Sequence, residues 1–219
     1  MAERSTTRSY RSTLRSEQAA ATRRRVLDAA AACFAEQGYH GTSLADIGAR
    51  AGVSPETVKA SGPKRELLLR AFEQAFAGSE GDTMIAEGDD AAAFLAIPDA
   101  SEFLGAVAGF VGQANARTSV LWSEFLSAAN SDPAIASALD DLLERRRREY
   151  LELARVLAER GVTTAGADRD EVAAVLSFLW SPESHQQLVL QAGWSMEHYE
   201  RWLAEAARRH FAVPPTSSP

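Results

Sequence analysis

The sequence predicts an all-α protein built in two parts, a smaller N-terminal one and a larger body. Three observations carry that expectation. Apolar residues recur at spacings of three and four through most of the 219 residues, and strand-like alternation is scarce. Proline and glycine stand at the starts and stops of those periodic runs, where they punctuate helices. A stretch rich in Gly, Asp and Glu at residues 79–98 separates two periodic regions and reads as a linker with room for a short helix.

Residues 1–17 carry Arg4, Arg8, Arg11 and Arg15 among serines and threonines. They read either as a flexible basic arm reaching phosphates or a minor groove, or as a solvated tail. From Glu17 to Gln37 a helix is expected, with Val26, Leu27, Ala30, Cys33, Phe34 and Gln37 on one face and Gly38 as its stop. Thr42 or Ser43 caps the next helix, and Asp46 suits its electropositive first turn. Leu44, Ile47 and Ala51 give that helix one buried side. Gly52 ends it, because glycine takes a left-handed C-terminal conformation without steric cost. Ser54 then caps a second helix with Pro55 at its first position, where the missing N–H is no loss. Two such helices joined by about three residues read as a helix-turn-helix, whose second helix is the one presented to a DNA major groove. Pro63 opens a further helix through Phe76, with Leu67, Leu68, Ala71, Phe72 and Ala75 inward. Residues 18–78 are therefore expected to form a three-helix DNA-binding unit with its connecting helix.

The body is expected over residues 99–212. Asp99 or Ser101 caps a helix to about Ala116, and another runs from about Thr118 to Ala129. Asp132-Pro133 starts a long helix reaching Arg160, ~40 Å at 1.5 Å per residue. Asp168 and Glu171 have capping-box spacing ahead of Val172, Val175, Leu176, Phe178, Leu179 and Trp180. Ser181-Pro182 restarts a helix through Leu190, Gly193 breaks it, and Ser195 caps a last helix to about Phe211. Residues 213–219 are expected to be a disordered tail.

Net charge is −7, but the two parts differ: residues 1–65 hold eleven Lys/Arg and six Asp/Glu, a net of +5, whereas the rest holds twelve and twenty-four, a net of −12. A basic module on an acidic body suits binding of nucleic acid by one end, since phosphate contacts are local. The single cysteine, Cys33, excludes an internal disulfide and fits a reducing cytoplasm; its apolar face argues for a core residue. No apolar run approaches the ~20 residues of a membrane-spanning helix, and the basic N-terminus lacks the apolar core of a secretory signal.

Signals for catalysis are weak. His40, His185, His198 and His210 are scattered without metal-ligand spacing, so neither metal nor cofactor is expected. Ser184-His185 lacks the partners of a triad, and Gly105, Gly109 and Gly112 follow no strand and read as helix-packing positions. The run Arg145 to Arg148 points all round its helix and has acidic residues four positions before it, as a solvated face would. An enzyme is not expected. Phe103, Phe110, Trp122, Phe125, Phe178 and Trp180 are the candidates to line an apolar ligand cavity among the body helices.

Several motifs in order resemble the TetR family of bacterial transcriptional regulators: Arg25-Val26-Leu27-Asp28-Ala29-Ala30, Phe34 to Tyr39, Thr42-Ser43-Leu44-Ala45-Asp46-Ile47, Ala51-Gly52-Val53-Ser54 and Thr57-Val58. The resemblance covers about residues 18–76. It implies a homodimer bound to double-stranded DNA, with a body that takes a small-molecule inducer of unknown identity and dimerises. Carried over residue by residue, it implies DNA contacts at Thr42 and Ser43, at Ser54, Pro55, Glu56 and Thr57 opening the recognition helix, at Lys59 and Ser61 after it, and at Lys64 or Arg65 opening the next. It implies a dimer face on the last two long helices, with Phe178, Leu179, Trp194, Tyr199 and Trp202. One departure stands out. Where the family carries an aromatic near the end of the recognition helix, this chain reads Lys59-Ala60-Ser61-Gly62. Without gaps the aromatic becomes Lys59 and a following Phe becomes Gly62, whereas deleting the aromatic, the preferred alignment, keeps Lys64 in register. The expected function is a ligand-responsive repressor on a palindromic operator. The alternative is a small-molecule-binding or interaction protein of the same fold that has lost sequence-specific DNA binding.

Overall fold

The computed structural model describes residues 5–77, 89–164 and 166–211, all of it helix and connecting turn. The expected tail at 213–219 and residues 79–88 of the expected linker lie outside the described residues. The chain divides into two compact units, Met1–Glu80 and Gly81–Pro219.

In the first unit, α1 (Ser5–Gly41) turns sharply at Gly38, whose φ of 76° ends the regular helix one turn early. The helix starts well before Glu17. Residues 5–17, expected as an arm or tail, continue it instead, since nothing between Ser5 and Glu17 is a helix breaker. It is followed by α2 (Leu44–Ala51), α3 (Pro55–Ala60) and α4 (Lys64–Ala77). Val26, Leu27, Ala30, Cys33 and Phe34 of α1 meet Ile47, Val58, Leu67, Leu68, Ala71 and Phe72 in a closed core. Burial pushes the Cys33 thiol up, away from the reactive thiolate. Gln74 of α4 ties back to α1, donating to Asp28 Oδ1 at 2.6 Å and to the Arg24 carbonyl at 3.1 Å.

The second unit holds α5 (Asp89–Leu95), α6 (Ala100–Ala129), α7 (Pro133–Glu159), α8 (Arg169–Leu179), α9 (Pro182–His185) and α10 (Met196–Phe211). Two expectations change. The helices expected at 99–116 and 118–129 are one helix of 30 residues, because Ala116-Arg117-Thr118 contains no breaker and both flanks bury the same face. The helix after Pro182 widens into a π-helical turn over Gln186–Gln191. Asp99, Asp132, Asp168 and Ser181 cap their helices as expected.

The core joins Phe103, Leu104 and Val111 of α6 to Tyr150 and Leu157 of α7, Leu176 and Trp180 at the end of α8, and Tyr199, Leu203 and Phe211 of α10. Of the three α6 glycines, Gly112 alone marks a close approach: a Cβ there would lie 2.9 Å from Glu200 Cγ, whereas Gly105 and Gly109 face open space. Arg146 donates to the Ser177 carbonyl at 2.9 Å and Arg147 pairs with Asp170 at 2.6 Å. Those two residues of the Arg145–Arg148 run are thus tied to α8.

Between α6 and α9 the packing is polar. Asn115 Nδ2 donates to the carbonyls of Trp180 and Ser181 at 3.1 and 3.2 Å and to the Tyr199 hydroxyl at 3.0 Å. One turn on, Ser119 Oγ bonds His185 Nδ1 at 2.9 Å, and Trp122 Nε1 donates to Glu183 Oε1 at 2.8 Å. His185 is buried, and desolvation lowers its pKa from the ordinary 6.5. A folded-state pKa below the unfolded value means that the unfolded chain binds the extra proton first, so stability falls as pH drops below about 6.5. The carboxylates held low by hydrogen bonds, Glu36, Asp46, Glu56 and Glu152, add their loss only below about 4.5. Melting followed by circular dichroism is expected to fall between about pH 7.5 and pH 5.5 in the wild type, and His185→Asn or His185→Gln should flatten that interval. An equally steep decline in wild type and variant would contradict it.

Candidate nucleic-acid interface

The helix-turn-helix is assembled by local chemistry. Ser43 N-caps α2 in a capping box: its hydroxyl accepts from the Asp46 N–H at 3.2 Å, and its own N–H donates to Asp46 Oδ2 at 2.8 Å. The Ser43 hydroxyl, which also donates to Asp46 Oδ2 at 2.5 Å, and then the Ser43 N–H hold the Asp46 carboxyl below its ordinary value. Gly52 ends α2 at φ 66°. The turn then folds against α2 so closely that a Cβ on Gly48 would lie 3.0 Å from the Val53 carbonyl oxygen. Ser54 caps α3, accepting from the Thr57 N–H at 3.3 Å, and Pro55 fills the first helical position.

Recognition-helix candidate α3 is six residues long and buries one of them, Val58, at 0% exposure. Pro55, Glu56, Lys59 and Ala60 are exposed, and Thr57 and Ser61 half-buried. The residue's own N–H and then the Ser54 hydroxyl keep Glu56 low, so its carboxylate stands charged at the helix start.

Thr42 does not fit the contact expected of it. It is 2% exposed, its hydroxyl donates to the Cys33 and Gly38 carbonyls at 3.0 and 2.8 Å, and its N–H donates to the Gly38 carbonyl at 3.2 Å. Both groups are spent closing the kink at Gly38, so Thr42 is a structural latch. Lys64 is half-buried, with Nζ 4.5 Å from the Tyr39 ring centroid, and desolvation lowers its pKa. Arg65 beside it is exposed. Sequence reasoning missed Arg23, whose Nη1 donates to the Ser61 carbonyl at 2.7 Å from 38 residues away.

In the second unit the six aromatics expected to line a cavity divide: Phe103 and Trp180 share the core with Phe110 packed against it, Trp122 pairs with Phe125, and Phe178 stands apart. Phe103, Trp122, Phe125 and Trp180 are buried in ordinary packing: Arg160 lies 4.1 Å above Phe103, Trp122 meets Phe125 edge-on, and Trp180 Nε1 donates to the Leu203 carbonyl at 3.1 Å. Phe110 packs against Phe94, and Phe178 is 77% exposed. A half-open pocket of about 280 Å³ lies among Thr164, Ala167, Asp168, Glu171, Val172, His210 and Phe211, and none of the six aromatics lines it. Among the described residues, the buried side-chain polar atoms without a partner are two acceptors, Asn115 Oδ1 and Glu183 Oε2, both on the α6–α9 seam. Of the expected dimer contacts, Phe178 is exposed and Leu179, Trp194 and Trp202 are half-buried. Tyr199 is fully buried, bonded to Asn115 and to Ser184 Oγ at 2.7 Å, so it faces the core and no partner.

Residues 26–60 match the sequence model for bacterial regulatory proteins of the tetR family. No curated protein matches the chain. Among solved structures, a candidate TetR-family transcriptional regulator from Rhodococcus sp. is similar at TM-score 0.64 and 19% identity, covering 88% of this chain and 100% of that one. A candidate regulator from Pseudomonas aeruginosa PAO1 aligns at TM-score 0.62 and 22% identity, over 86% and 93% of the two chains. One from Saccharomonospora viridis, solved in complex with choline, aligns at 0.61 and 23%, over 85% and 95%. At these identities the structures speak for fold, and the sequence match speaks for the helix-turn-helix. The chain thus carries, at residues 26–60, a helix-turn-helix segment that matches the tetR family of bacterial regulatory proteins, within a fold similar to these structures.

Proposed function

We propose that this DNA-binding regulator acts as a homodimeric, ligand-responsive repressor working in the cytoplasm. Its two recognition helices would enter successive major grooves of a palindromic operator, about one turn (~34 Å) apart. The observation that carries the reading is α3 itself: capped at Ser54, anchored by Val58, and exposing Pro55, Glu56 and Lys59 from the basic part of the chain. Ser43, Thr57, Ser61, Lys64 and Arg65 would complete the DNA-facing surface, with Thr42 behind it. Binding is measured by fluorescence anisotropy against the chain's own upstream DNA and against duplexes selected from a random pool. The wild type should enrich a palindrome, and removing one phosphate-binding side chain should flatten the salt dependence by about 0.9 in log–log slope. Lys59→Ala combined with Lys64→Ala should therefore flatten it by nearly two. A flat selection would favour the alternative of a binding protein that no longer reads sequence.

A dimer face on α8 to α10 is supported by Phe178 and Leu190, large apolar side chains exposed at 77% and 56%. Phe178→Glu should halve the mass measured by light scattering; an unchanged dimer would place the interface elsewhere.

The inducer would carry positive charge or hydrogen-bond donors. Its support is the pair of orphan acceptors, Asn115 Oδ1 and Glu183 Oε2, beside the Trp122 indole, with choline bound in the Saccharomonospora structure as a related case. A ligand that bonds this seam in one conformation alone would shift the DNA-binding equilibrium. Millimolar choline should raise the melting temperature of the wild type and leave Glu183→Gln unmoved. Equal shifts in both, or none in the wild type, would count against an organic cation at this seam.

A further inference from the structure

We propose that Arg23 is the positioning residue that sets the angle of the recognition helix, acting from α1 without touching DNA. The inference rests on the DNA-reading proposal and goes beyond it. Ser61 is the C-cap of α3, and Arg23 Nη1 donates to its carbonyl at 2.7 Å. The last carbonyls of a helix lack intrahelical partners, and a guanidinium there satisfies one with charge of the sign the C-terminus favours. Within α3 only Val58 is buried, so one side chain holds the helix down and a single anchor leaves its tilt free. The turn of α1 that carries Arg23 is itself held. The next residue's carbonyl and Asp28 both accept from Gln74 of α4, itself 9% exposed. Together these bonds run from α4 through α1 to the far end of α3, while Ser54 fixes the near end.

A phosphate ligand and a brace make different demands on binding. A phosphate ligand contributes to every DNA sequence and to the salt slope. A brace affects only duplexes whose bases α3 must meet in register, and leaves the slope alone. The test uses the full chain and the duplex enriched by selection. Operator and random-duplex affinity are measured across salt for wild type, Arg23→Ala and Arg23→Lys, with hydrogen exchange of the α3 amides. Arg23→Ala should lose about ten- to a hundred-fold in operator affinity, as expected for one charge-assisted hydrogen bond. Its salt slope and random-duplex affinity should stay at wild-type values, and the α3 amides should exchange faster. Arg23→Lys keeps the charge and stem but not the planar fork, so it folds as wild type and should fall between the two at unchanged slope. A slope lower by about one, with operator and random duplex weakened alike, would make Arg23 a phosphate ligand and overturn the proposal. So would unchanged operator affinity in both variants. Failure of the wild type to select any sequence is a separate result, which defeats the DNA-reading proposal and this one with it.

Discussion

The close fold of the turn against α2 is the constraint on which the DNA-facing unit depends. A helix of six residues has little stability of its own, because nucleation costs several ordered dihedrals before the first bond repays them. What holds α3 is its surroundings. Gly52 takes the left-handed conformation that lets α2 stop, and Gly48 lets the Val53 carbonyl oxygen approach to within 3.0 Å of where a side chain would begin. Any Cβ at Gly48 would push the turn outward and move Ser54, the residue that caps α3. The motif is therefore stiff at its N-terminal side for reasons confined to a dozen residues, and stiff at its C-terminal side through Arg23 of α1.

The second unit solves a different problem. Its long helices bury an apolar core on one side of α6, but along α9 the same helix presents Asn115, Ser119 and Trp122 to polar partners. Buried polar groups cost free energy unless paired, and here nearly all of them are. Asn115 answers the carbonyls left at the end of α8, and the π-helical turn after His185 has Gln186 reaching back to the Ser119 carbonyl at 2.7 Å. Such a seam specifies one register of α9 on α6 more sharply than apolar packing would, because sliding it by a turn would orphan several groups at once. The two acceptors still without partners are where a donor would gain most.

Features written in a few adjacent residues were legible in the sequence. The caps at Ser43, Ser54, Asp132 and Asp168, the stop at Gly52 and the proline starts at Pro55 and Pro133 all rest on local backbone chemistry, and the helix pair followed from them. The family's motifs lie in the same segment, at residues 26–60. Features that need two distant segments were not legible. Thr42 looks like a surface cap beside Ser43 until the carbonyls of Cys33 and Gly38 are brought to its hydroxyl. Tyr199 sits among aromatics suited to an interface, yet its hydroxyl is claimed by Asn115, 84 residues earlier. Arg23 stands in a run of three arginines on α1 whose sequence is compatible with approach to phosphate or with plain surface, and its bond depends on Ser61, 38 residues away. Asn115, Ser119 and Ser123, recurring every fourth residue along α6, are the one part of this seam that the sequence does display, as a polar stripe.

The central claim is that α3 enters the major groove of DNA as one of a pair. Chemical protection against methylation tests it most directly, because the reagent reads guanine N7 in the major groove and adenine N3 in the minor groove. The expected result is protection of guanine N7 in two major-groove patches on one face of the duplex, centred about 10 base pairs apart. A single patch, or protection confined to adenine N3, would contradict it.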